Sequence, residues 1–382
     1  MNEGGLMTVL DGNATAGAPV SSGRTRHSAI SSLLFSTRFA TIWIAAAVLL
    51  IVCKIVAPST LGSTSWSALL PLGSVVAVVA LGQMLVIMMG GIDLSMGATI
   101  SLTANVLVGV SKGADGRLAE AIVYVLVVAA VIGLVNGFLI AVLDLNPLIV
   151  TMSTSYIILG INTEYRTGTA NNSTVPDALS DFVLLEKVAG ISKTFWLVLV
   201  LMLVLSIVLR SSAVGRRFQA VGANRRAAWM AGIRVRLYVV GAYVGASVAG
   251  GVAAIFIGGI VVSPGVEPGS SYLLGPVAAV VLGGAALSGG LASPASTWLA
   301  AFFVTLLNQM LKVLGLTNAW QNVVFGAAIV VGMLISGDRI AELIGRLLLR
   351  PSLRKLVEGD DAEPPPRADS PPQPTPVLER SS

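Results

Sequence analysis

Residues 238–260 read YVVGAYVGASVAGGVAAIFIGGI, 23 residues without a single charge. A helix needs about 20 mainly apolar residues to cross a bilayer, and this run is one of many. Strong candidates lie at 39–57, 68–89, 120–143, 194–210, 237–262, 297–315 and 320–336. Runs at 95–111, 147–163 and 272–288 are shorter or richer in Gly, Ser and Thr. Charged residues make up 11% of the chain, against about 25% in a soluble protein. No water-soluble core hides this much apolar surface. The fold class expected is all-α: a polytopic membrane protein of about ten transmembrane helices. Each run carries Gly, Ala, Ser or Thr at close spacing, as helix backbones packed closely in lipid require.

Charge gives the orientation. The stretch from Arg210 to Arg236 holds seven arginines (Arg210, Arg216, Arg217, Arg225, Arg226, Arg234, Arg236) and no acid. Short loops rich in Lys and Arg stay in the cytoplasm, so this loop, 211–236, is assigned inside. With ten spans both termini are then cytoplasmic, in agreement with Arg24, Arg26 and Arg38 at one end and Arg346, Arg350, Arg354 and Lys355 at the other. The mixed-sign loop 164–193 falls outside. The domain expected is a membrane-spanning unit, 38–348, between a polar segment 1–37 and a tail 349–382 that is basic, then acidic and proline-rich. Neither end has enough apolar area to offset its ordering entropy, so both are expected to be disordered. No secretory signal is evident, and the first apolar run is expected to stay as an anchor.

Several chemistries are absent. There is no G-x-x-x-x-G-K-[ST] to cradle ATP phosphates. Cys53 and His27 are the only residues of their kinds, so neither a disulfide framework nor a His/Cys metal site is expected. Proton-coupled pumps use Asp, Glu or His within the membrane, and the strongest spans contain almost none. An embedded hydrolase would want paired carboxylates or a Ser/His pair, and none is visible. Lys54 snorkels by default; Lys312, beside Asn308 and Gln309, sits deeper. No enzyme activity is expected, and no cofactor bound by this chain.

The arginine loop contains NRRAAWMAGI, 224–233. Asn224 is a good N-cap and Gly232 a plausible helix stop, with Ala227, Ala228, Met230, Ala231 and Ile233 on an apolar side. Two readings stand: a docking helix for another protein, or a basic loop that only fixes topology.

The residues around it resemble the coupling region of the ribose-type sugar permeases of bacterial ABC importers. Gly215, Arg216, Ala220, Gly222, Asn224, Ala227, Ala228, Gly232 and Ile233 match recurring positions, with Arg226 where the importer-wide signature has Glu. LGQMLVIMMGGIDLSMGA, GLVNGFLIAVLDLNPLIVTMST, AAVVLGGAALSGG and the block from LLNQMLKVLG to WQNVVFGAAIVV also resemble that family, in order, over about residues 70 to 336. The chain departs at Tyr272-Leu273-Leu274, which lacks the usual carboxylate, at Leu148 in place of Phe, at Ser296-Thr297 with Pro294 before them in place of Gly-Thr, and at Leu159 in place of a base. The resemblance implies a permease subunit importing a sugar-like solute across the bacterial inner membrane. It implies a second permease subunit, identical or not, an external solute-binding protein, and cytosolic ABC ATPase subunits that hold ATP and Mg. Lipid surrounds the chain, and no nucleic acid is expected as a partner. The competing reading is a secondary transporter or facilitator without an ATPase.

Asp93, in the sequence GGIDLS, is a carboxylate among apolar residues. It either caps the following helix with Ser95 or lines a broken helix on the solute path. Gln83, Asn136, Thr151, Asn308 and Gln309 are further path candidates, although a polar residue in a span more often makes an interhelical hydrogen bond worth about 0.6 kcal/mol. GGIDLSMG (90–97) and GGAALSGG (283–290) agree at five of eight places, a faint internal echo of the kind transporters carry.

Overall fold

The computed structural model describes residues 37–168 and 173–336. The expected disorder at both ends lies outside these residues. Twelve main helices follow in order: α1 (Thr37–Val56), α2 (Ser63–Met88), α3 (Met96–Ser111), α4 (Leu118–Ala141), α5 (Pro147–Gly168), α6 (Lys193–Ser211), α7 (Ala213–Ala223), α8 (Arg225–Met230), α9 (Val235–Val261), α10 (Leu274–Leu282), α11 (Pro294–Val313) and α12 (Asn318–Ser336). Among the described residues, four helices are long and apolar enough to cross a membrane: Ser63–Met88, Asp115–Ala141, Lys193–Ser211 and Val235–Val261.

These four divide by what surrounds them. The apolar window of α2 is 78% buried, that of α4 22%. Helix α2 is therefore the central post, packed against α6, α9, α10 and α11. On α4, Val123, Val127, Val131, Leu134 and Phe138 form an exposed stripe, of the kind covered by lipid or by another protein. The opposite side of α4 carries Gly133-Leu-Val-Asn-Gly137. A Cβ at Gly133 would lie 2.6 Å from Val244 Cα of α9, and one at Gly137 2.8 Å from Val240 Cα. This G-x-x-x-G seam lets the two backbones touch, the source of van der Waals attraction when lipid removes the hydrophobic drive.

One expectation needs correction. The run 272–288 is not one span. Helix α10 has nine residues, about 14 Å at 1.5 Å per residue, under half of a hydrocarbon core of about 30 Å. The residues before it, 263–273, are largely non-helical. Pro264, Pro268, Gly265 and Gly269 explain the break, since proline removes an amide donor and glycine weakens a helix. The chain enters this segment through Val262, whose φ of 63° is an outlier for a β-branched residue. Non-helical backbone at membrane depth must be satisfied by protein or water. Helix α3 does this turn by turn: the Asn105 amide donates to the carbonyls of Gly265 (3.3 Å) and Val266 (3.4 Å), while Ser101 Oγ accepts from the Gly269 amide at 3.0 Å. Asn162 of α5 adds a donor to Val266 O at 2.5 Å.

The loops gather at two ends. At one, the Val175 amide bonds Val262 O at 2.9 Å, the Ala178 amide bonds Asp115 Oδ1, and Lys187 Nζ bonds Ser67 Oγ. A two-residue hairpin, β1 (Lys187–Val188) with β2 (Ile191–Ser192), sits here; its turn residues Ala189 and Gly190 both have positive φ, which suits the twist of paired strands. An ion pair from Lys193 to Glu186 braces it. At the other end, the arginine loop meets residues 88–90 and 289–290.

Candidate functional site

Three groups of residues carry the functional features, and the first is the arginine loop. It folds as two helices, of which the sequence suggested only the second. Ser212 caps α7 by accepting from the Gly215 amide at 2.9 Å, and Asn224 caps α8 by accepting from Ala227 at 3.0 Å. The chain leaves α8 at Gly232 with φ 77°, the left-handed stop that glycine suits. Ala228 is buried in its own chain, whereas Trp229 and Met230 are each 70% exposed. The large apolar side chains this helix presents are therefore Met230, which the sequence reading placed on its apolar side, and Trp229, which it did not. Arg216 bonds back to Ser211 O at 3.0 Å. Ile233 is half-buried, and its amide bonds Ala228 O at 3.0 Å.

The second group is a buried polar knot where α2 gives way to α3. Asp93 Oδ1 accepts from the Ser95 amide at 2.9 Å and from Ser95 Oγ at 2.6 Å. Asn136 of α4 donates to Ser95 Oγ at 2.9 Å and accepts from Thr154 of α5 at 2.7 Å. Three helices are thus tied through one short loop. Asp93 acts as a turn-former at the head of α3, as an Asp two residues before a bonded amide does. Its second oxygen has no partner, nor do the Tyr243 hydroxyl and both amide atoms of Gln83. Thr151 mainly bonds its own helix at Pro147 O, 2.9 Å. Thr154 and Tyr243 were not foreseen.

The third group lines a cavity of about 810 Å³ between α2, α9, α11, α12 and the segment 265–276. Its polar wall includes Glu267, Ser270, Ser271, Thr305, Asn308, Gln309, Lys312, Gln321 and Asn322. Of the expected path residues only Asn308 and Gln309 reach it; Asp93, Ser95, Gln83, Asn136 and Thr151 do not line it. Asn308 Oδ1 is buried and without a partner. Pro71 interrupts the hydrogen-bond ladder of α2 just before the lining residues Leu72 and Val76.

Irregular backbone at membrane depth, a polar cavity beside it and an apolar knuckle on a basic loop define the membrane domain of a transporter. Residues 65–333 match the family described as branched-chain amino acid transport system / permease component. The probable ABC transporter permease protein y4mJ of Sinorhizobium fredii is 32% identical over 340 residues, 88% of this chain and 97% of its own length. The autoinducer 2 import system permease protein LsrD of Photorhabdus temperata is 32% identical over 68% of this chain and 78% of its own length. Its counterpart in Escherichia coli K12 is 31% identical over 67% and 78%. No solved structure matches. The chain belongs to this family of ABC transporter permeases. It is a multi-pass inner-membrane transport subunit, and ATP hydrolysis in these transporters falls to separate subunits.

Proposed function

We propose that the chain imports a small sugar-like solute through the cavity walled by Asn308 and Gln309. The observation that carries this is the composition of the wall. Four carboxamides, Asn308, Gln309, Gln321 and Asn322, stand in one cavity, each offering donors and acceptors that match hydroxyl groups. The relatives named for autoinducer 2 import support a polar solute of this size.

The working assembly has two permease subunits, identical or not, two cytosolic ABC ATPases holding ATP and Mg, and an external solute-binding protein. Ten crossings with both ends inside fit the gathering of loops: the arginine loop, 89–95 and 283–293 at one end, 112–117 and 173–192 at the other. On this count the irregular segment 263–273 and α10 together make one crossing. Bounds of 1–37, 38–348 and 349–382 remain the division we favour. Docking runs through Trp229 and Met230, rimmed by Arg217 and Arg234, with Gly215, Gly222, Asn224, Ala227, Ala228, Gly232 and Ile233 shaping the loop behind them. Asp93, Ser95, Asn136 and Thr151 brace the path rather than touch solute.

The test is uptake of labelled pentoses and hexoses into proteoliposomes holding the permease, its ATPase and its binding protein. Asn308→Leu with Gln309→Leu should lower uptake by about tenfold per lost solute hydrogen bond, with the ATPase still bound. Unchanged uptake in the double variant would remove the cavity from the path. Uptake without the ATPase would leave the other reading standing instead: a secondary transporter if it is concentrative, a facilitator if it only equilibrates.

A further inference from the structure

The last four carbonyls of a helix have no partner within it, and at the end of α2 they are met in an unusual way. Val86 O accepts from the amides of Met89 and Gly91, and Ile87 O from Gly90. The next two carbonyls find donors far away in the chain. Met88 O accepts from the Gly290 amide at 3.0 Å, and Met89 O accepts from Arg225 Nη2 at 2.6 Å. One donor comes from the loop after α10, the other from the first residue of the docking helix α8.

The contact is backbone on backbone. A Cβ at Gly222, near the end of α7, would run into Met88 O and lie 3.2 Å from the Gly290 amide. A Cβ at Gly289, where φ is 95°, would lie 2.8 Å from Gly222 O and 3.1 Å from both Gly90 N and Met88 O. Three segments therefore meet at Met88 with no side chain between them. The helix ends nearest this contact, those of α2 and α10, both stop in the glycine C-terminal motif, as the ends of α8 and α11 also do. In each, an amide bonds back three residues and the next amide back five: Gly90 to Ile87 and Gly91 to Val86, Gly284 to Val281 and Ala285 to Val280. Gly90 and Gly284 take the left-handed turn.

From this the geometry points to one assignment, which rests on the docking reading above. Arg225 is the tie by which the docking helix acts on the end of α2 and the glycine contact at Met88. Arg225 is thus a transmission residue, not a docking residue. When an ATPase draws α8 away, the charged bond to Met89 O pulls the end of α2 with it, or breaks and leaves that carbonyl unmet. Either event acts on the Gly90–Gly91 turn, and Asp93 two residues on carries it to α4 and α5 through Ser95, Asn136 and Thr154. Arg226 is exposed like Arg225 but makes no bond to the end of α2.

The experiment uses the complete transporter in proteoliposomes and reads three quantities: ATPase retained on purification, ATP hydrolysed, and solute moved per ATP. Arg225→Gln should keep the ATPase and hydrolyse ATP, while solute moved per ATP falls by about tenfold or more, the scale of one charge-assisted hydrogen bond. Arg225→Lys should recover part of the loss, since its ammonium can also donate to Met89 O. Arg226→Gln should match the parent, and Gly222→Ala, which pushes α7 off Met88, should uncouple as Arg225→Gln does. Parental solute per ATP in Arg225→Gln overturns the inference, and so does loss of the ATPase in that variant. Trp229→Asp separates the two readings: if it keeps its ATPase, the docking assignment fails. If it loses its ATPase while Arg225→Gln transports normally, only the tie fails.

Discussion

The cavity behind Asn308 and the contact at Met88 both interrupt helices, yet they are built from opposite materials. The cavity is lined by polar side chains beside an irregular, turn-containing segment whose carbonyls are met by Asn105 and Asn162. The contact at Met88 is made of main-chain atoms and glycines. Side chains can be exchanged one at a time, so the first region can be altered without moving the chain. Main chain cannot be exchanged at all, so every change in the second region moves a helix end. The difference separates a cavity whose lining can be varied from a contact whose fit is set by the backbone.

The largest test concerns which side each region faces. With Cys53 changed to Ser, a cysteine at Ser173 should react fully with an impermeant external thiol reagent, and one at Ala223 not at all. The reverse labelling would exchange the outer and inner roles and break the comparison. The next test compares two glycines. Gly222→Val should cost about 1–3 kcal/mol of stability or more, since overpacking is destabilising and the clash is with backbone. Gly265→Val should be near neutral, because a Cβ there meets nothing within 4 Å. Thermal unfolding in detergent measures both, and equal losses would mean the two regions do not differ in kind. The smallest effect is at Asp93. Asp93→Asn keeps an oxygen for the Ser95 amide and should lose less than about 1 kcal/mol, whereas Asp93→Leu leaves that donor unmet and should lose about 1–3 kcal/mol. A folded Asp93→Asn that fails to transport would make the charge itself part of the path.

What the sequence could disclose followed from local chemistry. Apolar runs marked most helices, Asn224 and Gly232 marked the ends of α8, and the position of Asp93 marked a turn. What it hid depended on which apolar surface faces protein and which faces lipid. A helix apolar all round gives no periodic signal of its buried side, so nothing in NRRAAWMAGI said that Ala228 turns inward and Trp229 outward. The span at 272–288 failed for a related reason: an irregular, proline- and glycine-bearing stretch can take the place of half a helix, and hydropathy alone does not register the exchange. The echo of GGIDLSMG with GGAALSGG reduces to a glycine helix stop that α8 and α11 also use. Letters align Gly90 with Gly283, whereas the matching turns fall at Gly90 and Gly284. Nothing in the letters explained the departures at Leu148 and Leu159.

The short length of α3 bears on how the surrounding bilayer meets this protein. Its 16 residues span about 24 Å, too few for an average hydrocarbon core of about 30 Å. Almost all of them are buried within the protein, while the exposed stripes belong to longer helices such as α4, with 24 residues, about 36 Å. Thickness mismatch acts on what lipid touches. Acyl chains around this protein therefore register α4 and its outer neighbours, and they have no need to thin over the short helix. The interior can hold stunted and broken elements without deforming the sheet in which it floats.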